Sequence, residues 1–416
     1  MYFRDGDISG FGDGRAPVIL RPSERFNYQP QPVSYLPSTH LASFPMYYGL
    51  GEPTPPKGLK LFDHFQVPKT PDPANAGQFV SGSVTKLTLS DLNPGFIDAS
   101  DNLITDTSSD GLQTCLKKLI TSKFQNYLSN RTNTSPSAGD RLRVALVDLT
   151  GDKLTRPDFA GWGTTVAMYG ASVPKMLAVY AAHQLRMDLR EMAASQSISD
   201  GKILEKEALK LWKLGGNAPQ LVWLFDIRNW SGSPSTLDFS TDAKKALAGI
   251  MHNHEAGQLI VGVGFSYIAS VTFQSGLFHL TRGGLWLTTS YGKGKSGSNP
   301  VKAKYSANVT ALSAATFFTL LAQRRMVDDA GSTDIESSLR GGCVTGGFPT
   351  TGVVASKCGI WSDYLHDCAL IHRADARYVV VGLTRTQKSE FAKYTQLFTE
   401  LDKLIVRNNQ SPKPGC

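Results

Sequence analysis

From Asp110 onward the chain switches between helical and strand periods. Leu112, Leu116, Leu119, Ile120 and Phe124 recur at helical spacing, which predicts an amphipathic helix over 110–128 with Asp110 as N-cap. Arg141-Leu-Arg-Val-Ala-Leu-Val-Asp-Leu149 predicts a strand. Met176 to Leu185 is a mainly apolar run and predicts a buried helix. The stretch 186–280 reads as helices and loops. Ser313 to Ala322 predicts another helix, carrying Ala314, Ala315, Phe317, Phe318 and Leu321. Gly352 to Ile360, Asp367 to His372 and Tyr378 to Leu383 predict three adjacent strands, and Ser389 to Val406 predicts a closing amphipathic helix. This order points to an α/β (α+β) fold: an antiparallel sheet flanked by N- and C-terminal helices, with an all-helical lobe.

Residues 1–107 follow a different pattern. Pro, Gly, Ser and aromatics dominate, as in Tyr28-Gln-Pro-Gln-Pro-Val33 and Gly51-Glu-Pro-Thr-Pro-Pro56, and helical periodicity is absent. Phe26, Tyr28, Tyr35, Phe44, Tyr47 and Tyr48 predict an extension packed on the body. The expected division is therefore 1–107 as extension, 108–410 as the main domain and 411–416 as a tail.

Composition narrows the class. With 41% hydrophobic and 19% charged residues, the 416-residue chain has material for a sizeable core. Its 43 basic and 35 acidic residues give a net charge of +8, scattered except for short clusters such as Lys117-Lys118 and Lys293-Gly-Lys295. No basic stripe is interleaved with aromatics, so nucleic acid is not expected as a partner. The longest apolar stretch, Leu259 to Val271, is too short and Gly-rich to span a bilayer. Cys115, Cys343, Cys358, Cys368 and Cys416 form no C-x-x-C pair. They are mostly free thiols, or form one or two disulfides if the protein is exported. The expected location is cytoplasmic, or exported with a signal removed; oligomeric state is open.

The candidate chemistry lies at Ser172-Val-Pro-Lys175, just before the buried helix. Positions i and i+3 share a helix face, so a hydroxyl and an amine are held side by side. Burial lowers a lysine pKa, and a neutral amine beside a hydroxyl makes a nucleophile with its base. Pro174 suits a first helical turn, where the missing N–H costs nothing. A bland alternative has Ser172 as a simple cap and Lys175 solvated. A second copy, Ser83-Val-Thr-Lys86, lies in a polar segment with no apolar helix behind it.

With Ser172-x-x-Lys175 opening a central helix and Ser356-Lys357-Cys358-Gly359-Ile360 on a later strand, residues 110–410 resemble the serine β-lactamase and penicillin-binding protein superfamily. The resemblance implies that Lys357 steers an anionic substrate group. It also implies an oxyanion hole from backbone N–H groups at Ser172 and near Ile360 to Trp361. Cys358 stands where the family has a carboxylate-binding hydroxyl, and a thiol is a weak donor. His252-Asn253-His254 takes the place of the family's S-x-N element, with imidazoles able to do acid–base work. As metal ligands His252 and His254 are disfavoured, since an i, i+2 pair does not share a helix face; no metal or cofactor is expected. The stretch Leu285 to Asn299, where class A β-lactamases carry a deacylating glutamate, has no acidic residue; Ser290-Tyr291 offers a hydroxyl instead, though the spacing does not single it out.

Two functions follow. One is a serine hydrolase or acyltransferase forming an acyl-enzyme at Ser172 with an ester, amide or lactam, and not an efficient class A β-lactamase. Its substrate would be a small or peptide-like acyl donor, with an anionic group as one option. The other is a degenerate scaffold of the same fold that serves as a binding or structural protein.

Overall fold

The computed structural model describes residues 105–416 except 133, 155, 212–218, 276, 280–282, 288–289, 292–307, 341–351 and 387–389. It also describes a short antiparallel pair, Thr70–Pro71 with Phe79–Val80. The remainder of the expected 1–107 extension, Ser83–Lys86 and Lys293–Lys295 lie outside the described residues.

The chain divides into two compact units. One comprises Ile97–Met176, Thr281–Trp286 and Ala307–Cys416; the other includes Leu177–Leu280 and Leu287–Ser306. The first is built on five strands: β1 (Leu142–Asp148), β2 (Asp158–Trp162), β3 (Val353–Trp361), β4 (Tyr364–His372) and β5 (Arg377–Arg385). Their order across the sheet is β2-β1-β5-β4-β3, antiparallel throughout. The three late strands are adjacent, as expected, and β1 joins them by pairing along β5 from Leu142 with Thr384 to Asp148 with Tyr378. The hairpin partner β2 is not legible in the sequence, because Asp158-Phe-Ala-Gly-Trp162 is short and contains a glycine.

Four helices organise the rest: α1 (Leu112–Lys123), α2 (Met176–Ser195), α3 (Ala311–Ala322) and α4 (Phe391–Asn408). On one sheet face, Leu142, Val144 and Leu146 of β1 and Tyr378 and Val380 of β5 join a single core with Leu116 and Ile120 of α1 and Leu397, Phe398 and Leu401 of α4. Helix α3 lies against β1, β4 and β5. It is buried at every residue except Leu312. That explains why β1 is buried along its whole length and reads as a nearly unbroken apolar run.

Helix α1 corrects one expectation. Its N-cap is Gly111, not Asp110, and no side chain caps it; the Asp110 carboxylate instead accepts from the Ser108 hydroxyl at 3.1 Å. The helix stops at Lys123, where a 3-10 turn over Gln125–Tyr127 begins after Phe124. Helix α3 starts two residues earlier than expected, because Thr310 and Ser313 form a reciprocal capping box.

Among its described residues the second unit is mainly helices and loops, in keeping with the reading of 186–280. Beyond α2 it holds Gly201–Leu211, Leu221–Phe225, Thr241–Ala248, Asn253–Val263 and Phe265–Gln274. In its interior Asp188 accepts from Gln184 Nε2 at 2.8 Å and from the Tyr267 hydroxyl at 2.5 Å, so a buried acid is satisfied by neighbouring donors.

Cys115 in α1 is disulfide-bonded to Cys416, which staples the last residue to the first described helix. Cys358 is also disulfide-bonded, whereas Cys368 is free and buried. Three of the four described cysteines are thus disulfide-bonded, in line with the alternative of one or two disulfides rather than of mostly free thiols.

Candidate active site

Ser172 and Lys175 lie in a tight turn rather than in the α-helix proper. Ser172 caps a 3-10 turn over Val173–Lys175, and α2 starts at Met176. In a 3-10 turn residues three apart eclipse, so the hydroxyl and amine positions coincide in direction more closely than in an α-helix. The Lys175 N–H donates to the Ser172 carbonyl at 3.3 Å. Ala171, just before the serine, has φ 44°, a conformation uncommon for a residue with a Cβ. Ser172 is half-buried while Lys175 is 1% exposed. The run Met176 to Leu185 is buried throughout, as its composition predicted.

Strand β3 meets this turn through a glycine. A Cβ at Gly359 would fall 2.8 Å from the Gly170 carbonyl oxygen, 3.1 Å from Val173 Cγ2 and 3.2 Å from Ala171 Cβ. Only a residue without a side chain permits that approach. Lys357, two residues earlier, shares the Gly359 face by strand alternation. It is 1% exposed, and its Nζ donates to the Cys358 carbonyl at 2.8 Å. Burial, and then the positive charge of Lys175, push the Lys357 ammonium down to about 7. Two buried lysines therefore feel each other beside the serine turn.

Cys358 carries no thiol proton, since it is disulfide-bonded. Its expected role as a weak hydrogen-bond donor is therefore corrected: the side chain has no S–H to offer. Ile360 and Trp361 follow at the exposed end of β3. His252, Asn253 and His254 are exposed on the helical unit, where His252 is the N-cap of the helix Asn253–Val263 and makes no side-chain cap bond. Among the described residues no group of His, Cys, Asp and Glu could hold a metal ion. Ser290 and Tyr291 are half-buried, and most of the stretch to Asn299 lies outside the described residues.

One residue near the turn escaped the sequence reading. His366 on β4 is fully buried, and its Nε2 lies 2.6 Å from the Tyr169 carbonyl oxygen. Its Nδ1 accepts from the Thr384 N–H at 3.2 Å, which makes Nε2 the donor. Burial pushes its pKa down to about 4. The strand was expected to begin at Asp367, so His366 fell just outside it. An imidazole within an apolar strand was the available signal.

No family model and no curated protein matches the chain. Solved structures do. The β-lactamase from Sphaerobacter thermophilus DSM 20745 is 12% identical, over 66% of this chain and 93% of that one, with a TM-score of 0.41. The chromosome-encoded β-lactamase of Vibrio parahaemolyticus is 15% identical, over 72% and 99%, with a TM-score of 0.41. PBP-A is 11% identical, over 73% and 96%, with a TM-score of 0.37. At identities of 11–15% and TM-scores of 0.37–0.41 these matches say nothing of the chemistry, which rests on the residues around Ser172. No helix among the described residues is long and apolar enough to cross a membrane.

Proposed function

We propose that the protein forms an acyl-enzyme at Ser172. Lys175 takes the hydroxyl proton as Ser172 Oγ attacks the carbonyl carbon of an ester, amide or lactam. The tetrahedral oxyanion is held by backbone N–H groups at Ser172 and Ile360. Lys175 then returns the proton to the leaving group, and water or an amine releases the acyl chain. The observation that carries this reading is the contact of Gly359 with the Gly170–Val173 turn, which brings the Lys357 strand against the nucleophile. Lys357 supplies a second buried amine whose charge responds to Lys175. His252, Asn253 and His254 enter only through their order along the chain.

A degenerate scaffold is the second reading, and the Cys358 disulfide favours it, because the resemblance puts a substrate-binding hydroxyl at that position. The same disulfide, with Cys115–Cys416, supports an oxidising compartment.

Intact mass after incubation with a fluorescent penicillin and a panel of activated esters separates the two. An adduct that disappears in Ser172→Ala supports the enzyme. Absence of an adduct with every donor, in a protein that melts cooperatively, leaves the scaffold.

A further inference from the structure

We propose that the acyl donor carries an uncharged aromatic or branched apolar group, seated on Trp361 and Tyr364 beside Ser172; this rests on the acyl-enzyme reading. Trp361 and Ile360 are 65% and 57% exposed, the two most exposed large hydrophobic residues described. Trp361 follows Lys357 and Gly359 on the same face of β3 by strand alternation. That is the face Gly359 turns toward Gly170, Ala171 and Val173.

Tyr364 pairs directly with Trp361 across the β3–β4 hairpin, and opposite residues of an antiparallel pair share a face. The Tyr364 ring meets the Tyr169 ring edge-on at 5.4 Å between centroids, and Tyr169 stands three residues before Ser172. From the other side, the Arg385 guanidinium lies 5.5 Å from the Tyr364 centroid and is itself paired with Asp363 at 2.9 Å. The Tyr364 side of the shelf is thus held in place before any ligand arrives, which lowers the ordering cost of binding.

The charge pattern argues for an uncharged group. Cys358 has no donor, and the Lys357 amine is buried, bound to the Cys358 carbonyl and weakened as a cation. What β3 offers at its open end is apolar surface.

The test uses the full chain and pairs of esters that differ at one side only: phenylacetyl against acetyl, and benzyl against ethyl. Trp361→Ala should raise KM for the aromatic member of a pair roughly tenfold, leave its kcat unchanged and spare the small member, with Trp361→Phe restoring most of the loss. Equal effects on both members, or none, would overturn the inference while leaving acylation at Ser172 intact. If no ester acylates the protein, the acyl-enzyme reading fails separately. The shelf is then read by titrating unreactive N-benzylacetamide into Ser172→Ala protein. A shift of the Trp361 indole N–H resonance that is lost in the Trp361→Ala background keeps the shelf, and no shift sinks it. Saturable binding of lipid vesicles or of a second copy in place of the amide overturns it too.

Discussion

His366 donates from Nε2 to the Tyr169 carbonyl oxygen across 2.6 Å, tying strand β4 to the residue three places before Ser172. The same ring accepts from Thr384 on β5. A neutral imidazole thus fixes the entry to the serine turn from the sheet side.

His366→Phe removes both bonds and orphans a buried carbonyl and a buried N–H. Stability should fall by about 1–3 kcal/mol. Acylation of Ser172 should slow by roughly tenfold as the turn loses its register. Denaturant midpoints and the rate of adduct formation measure the two effects. An unchanged adduct rate in the folded variant would show that the tie is structural only.

The pH dependence follows from burial of the same ring. His366 falls from 6.5 to about 4 in the folded protein. Between those values the unfolded chain binds a proton that the folded chain refuses. This contribution is fully present above pH 6.5 and is lost as pH falls toward about 4, up to about 3 kcal/mol. Urea unfolding at pH 7 and pH 4.5 should show the loss, and His366→Phe should lack that component.

Lys357 works in a higher window. Its folded value of about 7 lies below the ordinary 10.5. Stability should therefore rise as pH climbs from about 7 to 10.5, by an amount on the order of a few kcal/mol. Lys357→Met should flatten that rise. Parallel slopes for the two proteins would mean the amine is solvated.

Gly359→Ala places a methyl group against the Gly170 carbonyl. The strand has to retreat from the turn, at about 1–3 kcal/mol. Acylation should drop by more than the stability loss explains, and a crystal structure should show β3 displaced. Retained acylation would show that the contact plays no part in the chemistry.

The Cys115–Cys416 bond closes a span of 301 residues. Cys416→Ser should lower stability by about 2–5 kcal/mol, since the cross-link restricts the unfolded chain. Reduction of the parent protein, which also opens the Cys358 disulfide, should lower the melting temperature by at least as much.

Local physics wrote much of this into the sequence. Strand β1 and the three late strands were legible because Val, Ile, Leu and Tyr recur in short apolar runs. Helix α4 was legible from its 3.6-residue period. Ser172 and Lys175 were legible as a pair because a spacing of three fixes a shared face whatever surrounds it. The buried run after them announced its own burial. Tertiary structure decided the rest. Strand β2 forms because β1 offers it a partner, and its own glycine-containing residues carry little strand signal. Lys357 loses charge because burial and Lys175 act on it together. His366 matters only because folding brings β4 to Tyr169, 197 residues away. Periodicity is a property of neighbours along the chain, whereas a hydrogen bond, a disulfide or a repelling charge depends on residues that only folding makes neighbours.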